Sequence, residues 1–598
     1  MRTQQRIAAL VLALLMVLTL AAGCGNATPP ATSAAATSAS TSASASESAS
    51  ASTSAAPAEA TPKELVTLTA FVMQSASSSF GLEEDWMAQI MKEQLGIQME
   101  FSPAGDQTEQ KMQAMMAGGE LPDIIGFKES KYALQAVGAD MLLPLDDYQA
   151  TMPNVFANDM LASAVKWSRD ELSNGLGKVF LLPTAVGPLG ATNDANWKPQ
   201  LMWDVYEDIG RPAINTLEDY LQVLKKMQEA YPKNEAGEKV YGLSIFADWD
   251  SVTASQVATL SFMYGIDTEY VSPLMETNVT TLDIGSVLDE DSFYKRALKF
   301  YFQANQMGLL DPDSLTQKFD TVQEKFTAGR VLFTYFSWLN GQYNNRGNGH
   351  VDAEDPNGYE MVPAKDFKIY DAPNQTIGRN WYFAASKTTK YPDRVTELLN
   401  WLYSVDTYSL YANGPEGVLW EKDANGVPAI KEDKWSIIDN NEEMPLPGGG
   451  KLTDPMVNWN TLGYTGQAIN PATKQPIVYR YWPASLQRNP TKMKQEWRDW
   501  TGYVNMAAYM KGENMISPAN QAINMVADPS DDLQMKINQI GDTVKSTSWS
   551  MIFAKNEAEF ESLWKGMVEK ADGLGMQEVE TFYVQAWKDA QVKAAKYE

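Results

Sequence analysis

Apolar and polar positions alternate along the chain in a pattern that predicts a layered α/β fold. Residues 65–73 read LVTLTAFVM, an alternating β-branched run typical of a strand, and residues 82–95 have helical spacing that ends at a glycine. Three further runs predict a strand over 97–101, a helix over 108–117 and a strand over 123–127. This order is typical of a parallel sheet covered by helices.

The same alternation returns after residues 182–197, an irregular stretch rich in Pro, Gly, Asn and Ala. It predicts a helix over 217–231 and a strand over 240–246. The remaining predictions are helices over 251–264, 292–307 and 321–328 and strands over 331–336 and 379–385. A second α/β unit beside the first is therefore expected.

The N-terminus reads as an export signal. Arg2 and Arg6 precede an apolar run that is too short for a comfortable membrane-spanning helix. The run ends in LAAGC, so small residues precede Cys24 as in a lipobox. We interpret residues 1–24 as a lipoprotein signal peptide and expect Cys24 to carry diacylglycerol. Lipidation would anchor the protein on the extracellular face of the cell membrane.

Residues 25–63 consist almost entirely of Ala, Ser, Thr and Pro. Such a segment cannot bury enough apolar surface to offset its ordering entropy, so we expect a disordered tether. The folded body is then residues 64–598.

Composition narrows the functional classes. The formal net charge of −27 argues against nucleic acid or anionic lipid headgroups as partners. The chain has one histidine, His350, in a Gly/Asn/Asp-rich stretch that predicts an exposed loop, which disfavours His-based triads and multi-histidine metal sites. Cys24 is the only cysteine, so disulfides within the chain are excluded.

Four local motifs resemble a known family. They are GGELPDII at 118–125, KFTAGRVLF at 325–333, SKTTKYPDRVTELLNWLYS at 386–404 and NGPEGVLWE at 413–421. Their order and spacing, together with the lipobox and tether, resemble the extracellular solute-binding proteins that serve ABC importers of oligosaccharides in Gram-positive bacteria.

The resemblance implies a two-lobe, periplasmic-binding-protein-like (type II) α/β fold with a hinge and an interlobe cleft. By analogy, lobe one would be about 64–180 and 325–380, and lobe two about 181–324 and 381–598. It further implies a monomer that captures an oligosaccharide or other small solute and delivers it to ABC permease subunits. It implies neither enzymatic activity nor a cofactor.

Two departures from the family are visible. Relatives often place a basic residue before the Asp in the segment matching LMWDVYEDIG, whereas this chain has Met202 and Trp203 there. The stretch 231–242 lacks the alternating oxygen ligands of a calcium loop, so we expect no metal.

Aromatic residues beside carboxylates, amides and Arg suit a sugar, which has an apolar face and hydroxyl edges. Several such groups follow or precede predicted strands. Our candidate ligand contacts are Gln74, Ser75, Trp203, Asp248, Trp249, Asp250, Trp338, Asn340, Arg379, Trp381, Glu416 and Trp420.

Alternatives remain open for these residues and for the function. A Trp in a large α/β protein is more often core than ligand platform, and helical spacing places Trp86, Trp401, Trp497 and Trp564 in the core. Asp123 is better explained as a structural hydrogen-bond partner than as a ligand group. A secreted glycan hydrolase, which needs only two carboxylates, and a peptide-binding or sensor lipoprotein are the rival functions.

Overall fold

The structure is a computed structural model. It describes residues 63–73, 81–103, 107–128, 130–188, 197–336, 339, 341–344, 358–371, 375–379, 381–459, 462–488 and 491–597.

Strands and helices are numbered in chain order over these described residues. The strands are β1 Val66–Val72, β2 Gly81–Leu82, β3 Ile97–Ser102, β4 Ile124–Phe127, β5 Leu182–Pro183, β6 Trp197–Met202, β7 Ile266–Asp267, β8 Met275–Asn278, β9 Ile284–Ser286, β10 Phe333–Phe336, β11 Tyr359–Met361, β12 Ile369–Asp371, β13 Tyr382–Ala385, β14 Trp420–Lys422, β15 Pro428–Ile430 and β16 Ile516–Pro518. The α-helices are α1 Trp86–Leu95, α2 Thr108–Gly118, α3 Ser130–Gly138, α4 Pro153–Phe156, α5 Ala162–Glu171, α6 Trp203–Asp208, α7 Asp219–Ala230, α8 Ser255–Ala258, α9 Phe293–Gln306, α10 Phe319–Thr327, α11 Gly341–Asn344, α12 Pro392–Leu402, α13 Val405–Asn413, α14 Trp435–Asp439, α15 Pro483–Gln487, α16 Lys492–Thr501, α17 Met506–Gly512, α18 Asp531–Ile552, α19 Glu557–Leu574 and α20 Met576–Ala594. Short 3₁₀ turns lie at Leu145–Thr151, Asp159–Leu161, Thr259–Tyr264, Pro312–Leu315, Glu432–Lys434, Asp454–Val457, Tyr479–Tyr481 and Gln521–Asn524.

The first sheet has the strand order β2-β3-β1-β4-β13-β5. Strand β1 runs parallel to both β3 and β4, as the alternation of strands and helices predicts. Strand β13 enters antiparallel between β4 and β5, with Tyr382 opposite both Phe127 and Pro183. The carboxyl ends of β1, β3, β4 and β5 therefore lie at one edge of this sheet.

Alternation along β1 divides the interior into two cores. Leu68 and Ala70 point into the first core, which includes Leu398 of α12, whereas Phe71 points to the opposite face. The second core contains Phe71 and continues through the rest of the body as far as Trp587 of α20.

The second sheet is antiparallel, with β6 between β10 and β11. Strand β12 pairs in parallel with β16, and β7, β8 and β9 form a small meander. The expected strand over 240–246 forms only isolated bridges, from Tyr241 to Val331 and from Leu243 to Leu310. This segment is apolar because it is buried, and it has no continuous strand partner.

The C-terminal helices α18, α19 and α20 pack together beside α9. Tyr294 of α9 shares a 2.8 Å hydroxyl–hydroxyl hydrogen bond with Ser548 of α18, and Phe302 contacts Phe560 of α19. These helices thus extend the second core.

Two described segments lie between strands of the first sheet and strands of the second. The first crossing segment, 184–188, follows β5, and the second, 375–379, lies between β12 and β13. The chain passes between the two cores again between Trp482 and Met493. Gly187 and Gln375 exchange two backbone hydrogen bonds of 2.9 Å, so the two crossings run side by side.

The division of the chain between the sheets differs from the expected lobes. We expected 325–380 to join 64–180, and 381–598 to join 181–324. In the structure β10 and β11 pair with β6 in the second sheet, whereas β13 pairs with β4 and β5 in the first. The physical reason is that β13 pairs antiparallel with β4 and so joins the first sheet. This pairing covers a strand edge of β4 that would otherwise have unpaired backbone groups.

Among the described residues, no helix combines the length and apolar character that a membrane crossing requires.

Candidate ligand-binding site

The two sheets direct strand ends towards each other. The carboxyl edge of the first sheet leads through β5 into the first crossing segment, and the chain next enters the second sheet at Trp197, the first residue of β6. Strand β10 runs antiparallel to β6 and ends at Phe336, beside Trp197. Loops at the facing edges of two sheets are the usual position of a ligand cleft.

A continuous set of aromatic rings lines this edge of the second sheet. Trp197 stacks on Phe262 with ring centres 5.0 Å apart and also contacts Phe336 at 5.2 Å. Tyr270 and Tyr370 stack at 6.1 Å with an interplanar angle of 12°. We call the connected set the aromatic row, and it consists of Trp197, Trp249, Phe262, Tyr270, Phe319, Phe336 and Tyr370.

Trp249 forms one end of the aromatic row and keeps 42% of its surface exposed. Its indole stacks on Phe319 at 4.6 Å and meets the edge of Phe336 at 6.1 Å. Phe246 also contacts the indole, at 4.8 Å, so three rings hold Trp249 while part of its surface reaches solvent. A held, partly exposed indole can serve as a platform for an apolar ligand surface.

The carboxylates that flank Trp249 fix its loop. Asp248 accepts hydrogen bonds from the backbone N–H of Phe319 at 3.1 Å. Asp250 accepts from the backbone of Ser255 at 2.8 Å and from the Trp549 indole at 2.6 Å, and burial raises its pKa. Both carboxylates therefore hold the Trp249 platform in place, whether or not they also meet a ligand.

The other exposed ring of the aromatic row is Tyr270, which is 40% exposed. It lies on a loop whose backbone N–H groups donate to a buried carboxylate. Asp267 accepts three backbone hydrogen bonds of 3.0 Å, from Glu269, Tyr270 and Val271. Because the loop is short and tied to one side chain, it presents Glu269 and Tyr270 in a fixed orientation.

Glu269 and Tyr270 both reach solvent on this loop. Surrounding protein and the charge of Asp267 raise the pKa of Glu269 to about 7. Burial also raises the pKa of Tyr270.

Arg379 and Trp381, both predicted ligand contacts, approach this loop from the segment between β12 and β13. The Arg379 guanidinium lies 4.6 Å from the centre of the Trp381 ring and is near enough to Tyr270 for its charge to act on the pKa of the phenol. Its backbone N–H donates to the Thr184 carbonyl at 2.8 Å. The structure therefore brings Arg379 and Trp381 together with Tyr270 where the crossings meet the aromatic row.

A half-buried carboxyl, that of Glu83, lies on the first sheet next to β3. Glu83 accepts hydrogen bonds from Asn458 at 3.0 Å and from the Trp459 indole at 3.3 Å. Burial, followed by the charge of Asp85, raises the pKa of Glu83 to about 8. Trp459 also meets Phe101, near the end of β3, edge to face at 5.3 Å, which ties the cluster to the edge facing the second sheet.

One predicted contact, Trp203, is a core residue. Its side chain has no exposed surface, and it packs against Trp500 and the Arg211 guanidinium. Trp203 follows the far end of β6, the end that points away from the first sheet. Trp203 was selected from LMWDVYEDIG, the segment that resembles the family, and the structure places this segment at the end of β6 that points away from the first sheet.

Glu416 and Trp420 lie together but apart from the aromatic row. Trp420 is buried, its indole donates to the Gly414 carbonyl at 2.9 Å, and it meets Trp482 edge to face. Glu416 is exposed and pairs with Lys422 at 2.7 Å. They line a separate cavity of about 270 Å³, so we assign Trp420 to fixing this turn.

Several predicted positions fall outside the described residues. They are Cys24, Gln74, Ser75, Trp338, Asn340 and His350. Within the described ranges, no three His, Cys, Asp or Glu side chains come together as metal ligands.

The structural roles predicted for other residues agree with their contacts. Asp123 accepts from the backbone and hydroxyl of Thr69 at 2.8 Å and from the Thr389 hydroxyl at 2.6 Å, which confirms a structural role. The indoles predicted for the core are buried at Trp86, Trp497 and Trp564 and half-buried at Trp401.

The sequence analysis did not select Glu83, Glu269, Tyr270 or Phe319 as site residues. Glu269 and Tyr270 had a readable signal, since Asp267 precedes them in DTEY, a polar segment in which an Asp side chain can cap the following N–H groups. Phe319 and Glu83 had none, because their positions depend on pairing with distant parts of the chain.

Known proteins resemble this chain in family and in fold. Residues 85–419 match the family described as bacterial extracellular solute-binding proteins. A search of curated protein sequences finds no significant match.

Solved structures resemble this fold over most of the chain. The S. pneumoniae ABC-transporter substrate-binding protein FusA, as an EF-hand mutant in complex with fructo-nystose, is 16% identical with a TM-score of 0.57, covering 88% of this chain and 100% of FusA. A solute-binding protein from Bifidobacterium longum infantis, described as HMO binding, is 18% identical with a TM-score of 0.58, covering 88% and 99%. The alginate-binding protein AlgQ2 is 15% identical with a TM-score of 0.57, covering 88% and 98%. At these identities the likeness concerns the fold.

Proposed function

Because the chain belongs to the family of bacterial extracellular solute-binding proteins, we propose that it captures an oligosaccharide outside the cell and delivers it to the permease of an ABC importer. The observation that carries this proposal is the aromatic row, which presents two exposed rings, Trp249 and Tyr270, along the edge that faces the first sheet. Neighbours in fold that bind fructo-nystose and alginate support the ligand class.

The chemistry of the row suits a sugar chain. A sugar ring has an apolar face, which packs on an open indole or phenol ring, and a rim of hydroxyls, which needs donors and acceptors. Arg379 and Glu269 supply a donor and an acceptor beside Tyr270. An aromatic surface with a few placed polar groups is the usual composition of a small-molecule site.

The connection between the sheets supports a hinge. We propose one lobe formed by residues 64–183 and 382–482 and a second formed by 197–371 and 493–597, following the pairing of the strands. The two hydrogen-bonded crossing segments, with the third passage of the chain between 482 and 493, would act as the hinge, and ligand contacts to both lobes would favour the closed form.

Titration calorimetry against a panel of oligosaccharides tests the ligand class. We expect binding to at least one glycan and, in small-angle scattering on the same sample, a smaller radius of gyration with the mass of a monomer. Binding to peptides alone would overturn the oligosaccharide assignment. New reducing ends after incubation with the glycan would instead identify a hydrolase.

We further infer that residues 1–23 are removed as a signal peptide and that Cys24, the new N-terminal residue, carries the lipid anchor. The lipobox sequence and the extracellular family support this inference. In the native host, Cys24→Ala should abolish incorporation of labelled fatty acid into the protein, while Ser42→Ala in the tether should leave it unchanged. Fatty-acid labelling of the Cys24→Ala protein would contradict the anchor.

A further inference from the structure

The turn that carries Trp249 lies against a helix from a distant part of the chain. The backbone N–H of Asp250 donates to the Ala247 carbonyl at 3.1 Å and closes the turn. The three residues that follow Trp249 all approach α18, and Trp549 of this helix comes 299 residues after Asp250. Helix α18 also lies beyond residue 419, where the match to the family ends.

Three residues of α18 support this turn. The Trp549 indole donates to the Asp250 carboxylate at 2.6 Å, and the Lys545 ammonium donates to the Ser251 carbonyl at 2.9 Å. Gly541 lies one turn before Lys545, next to Val252. Residues spaced by four lie on one side of a helix, so Gly541, Lys545 and Trp549 form a single face, which we call the supporting face.

Gly541 allows the close approach of the loop. A Cβ at this position would lie 2.6 Å from Cγ1 of Val252 and 2.8 Å from its carbonyl oxygen, which is too close for any other residue. Glycine inside a helix costs stability because it loses more conformational freedom than alanine. The approach of Val252 therefore explains a glycine in the interior of this 22-residue helix.

The supporting face acts on the backbone and not on the Trp249 ring. The described rings that contact the indole are Phe246, Phe319 and Phe336, which belong to other elements. Trp549 is buried, so it is not exposed for ligand contact. A binding side chain needs its backbone held within about 0.5 Å of the productive position, and α18 supplies this support for the residues that follow Trp249.

From this geometry, which rests on the proposed function, we infer that Gly541, Lys545 and Trp549 are positioning residues of the oligosaccharide site. They hold the Trp249 platform where the ligand meets it and do not themselves bind the ligand. The later part of the chain, after the family match, thereby determines the geometry of a site formed by the earlier part.

Trp549→Phe tests the indole donor, because it removes the N–H and keeps an aromatic ring in the core. Calorimetry with a glycan that the wild type binds should show an affinity roughly 5-fold weaker, the effect of one hydrogen bond. The matched control is Trp564→Phe on α19, which removes an indole donor to Glu290 at 3.0 Å and should leave affinity unchanged.

Gly541→Ala tests the close approach. The added methyl group must displace Val252, and we expect affinity to fall by at least about 10-fold. Gly566→Ala, inside α19, has no described atom within 4 Å of the added Cβ and should leave affinity unchanged. Circular dichroism of each variant should show the native fold.

A double variant separates positioning from a general loss of structure. If Trp549 acts through Trp249, the variant Trp249→Ala/Trp549→Phe should bind as weakly as Trp249→Ala alone. Losses that multiply would assign Trp549 to another part of the site and overturn the inference. Unchanged affinity in folded Trp549→Phe and Gly541→Ala would also overturn it, and would leave oligosaccharide capture standing.

Fluorine NMR of protein labelled with 5-fluorotryptophan gives a second measurement that needs no ligand. The resonance missing from Trp249→Ala identifies Trp249, and Lys545→Met should shift it. Lys565→Met, which removes a surface contact of 3.8 Å to Glu569, should not. An unmoved Trp249 resonance in Lys545→Met and Gly541→Ala would contradict the positioning role, whereas a wild-type protein that binds no glycan would overturn the proposed function as well.

Discussion

The indole of Trp249 lies flat against the ring of Phe319, with 4.6 Å between ring centres and 22° between planes. Phe319 is the first residue of α10, and its backbone N–H donates to Asp248. The start of α10 therefore holds the Trp249 indole, part of which reaches solvent.

Trp249→Ala should weaken oligosaccharide binding by roughly 30-fold, about 2 kcal/mol, because truncating an aromatic anchor removes its contact with the ligand. The free energy of unfolding should change little, since 42% of the side chain is exposed. Calorimetry and urea denaturation measure the two quantities. Trp500→Ala, which removes an indole that is 37% exposed elsewhere on the surface, should leave affinity unchanged.

Gly378→Ala should destabilise the crossing segments. Gly378 has φ +80°, and an added Cβ would lie 2.6 Å from the Cβ of Pro183 and 2.7 Å from the Thr184 carbonyl oxygen. We expect a loss of about 2–4 kcal/mol in urea denaturation, from backbone strain and overpacking together.

Gly426→Ala is the control for Gly378. Gly426 has nearly the same φ of +79° but no atom within 4 Å of the added Cβ, so only the backbone cost of about 1 kcal/mol applies. Equal losses in the two variants would show that the close contact between crossings has no energetic weight.

Lys325→Met should be strongly destabilising. The Lys325 ammonium is buried and donates to Asp311 at 2.6 Å, to Asp313 at 2.9 Å and to Gln317 at 2.8 Å, and the Asp311 side chain has no exposed surface. Removing the cation leaves a buried carboxylate uncompensated, which costs about 3–5 kcal/mol.

The double variant Lys325→Met/Asp311→Asn should regain part of the stability lost in Lys325→Met. Exposed Lys225→Met, which breaks only a long surface contact to Glu229 of 3.9 Å, should cost less than about 0.5 kcal/mol. If Lys325→Met unfolded at the same urea concentration as the wild type, the ion pair would be irrelevant to the fold.

Stability should fall as pH rises towards 8, owing in part to Glu83. Its folded-state pKa of about 8 lies above the ordinary value of 4.5, so the native state binds more protons than the unfolded state between these values. The contribution is fully present below pH 4.5 and is lost as pH rises through about 8. Melting temperatures across this range should fall less in Glu83→Gln than in the wild type, whereas exposed Glu93→Gln should follow the wild type.

Local structure was largely predictable and sheet order was not. The strands β1, β3 and β4 and the helices α1, α7 and α9 appear close to their predicted positions, because their periodicity reflects burial against neighbours in the same unit. The position of β13 depends on pairing with β4, which lies roughly 260 residues earlier in the chain, and local periodicity does not encode such pairing.

The candidate site was also predictable only in its local features. Residues that flank strands or crossings were easy to select, and Trp249, Arg379 and Trp381 do lie at the facing edge. Trp203 and Trp420 were selected from segments that resemble the family, and both are buried. Which end of a strand faces the other sheet is a property of topology, and a sequence motif beside the strand does not contain it.

The insertion of β13 between β4 and β5 sets an order for assembly. Strands β4 and β5 have emerged when about a third of the chain is present, yet β13 ends at Ala385. During vectorial export, both strands wait with unpaired backbone groups for some 200 further residues before the first sheet can close. Protection of that open edge by an extracytoplasmic chaperone or by transient contacts is therefore a requirement of this topology.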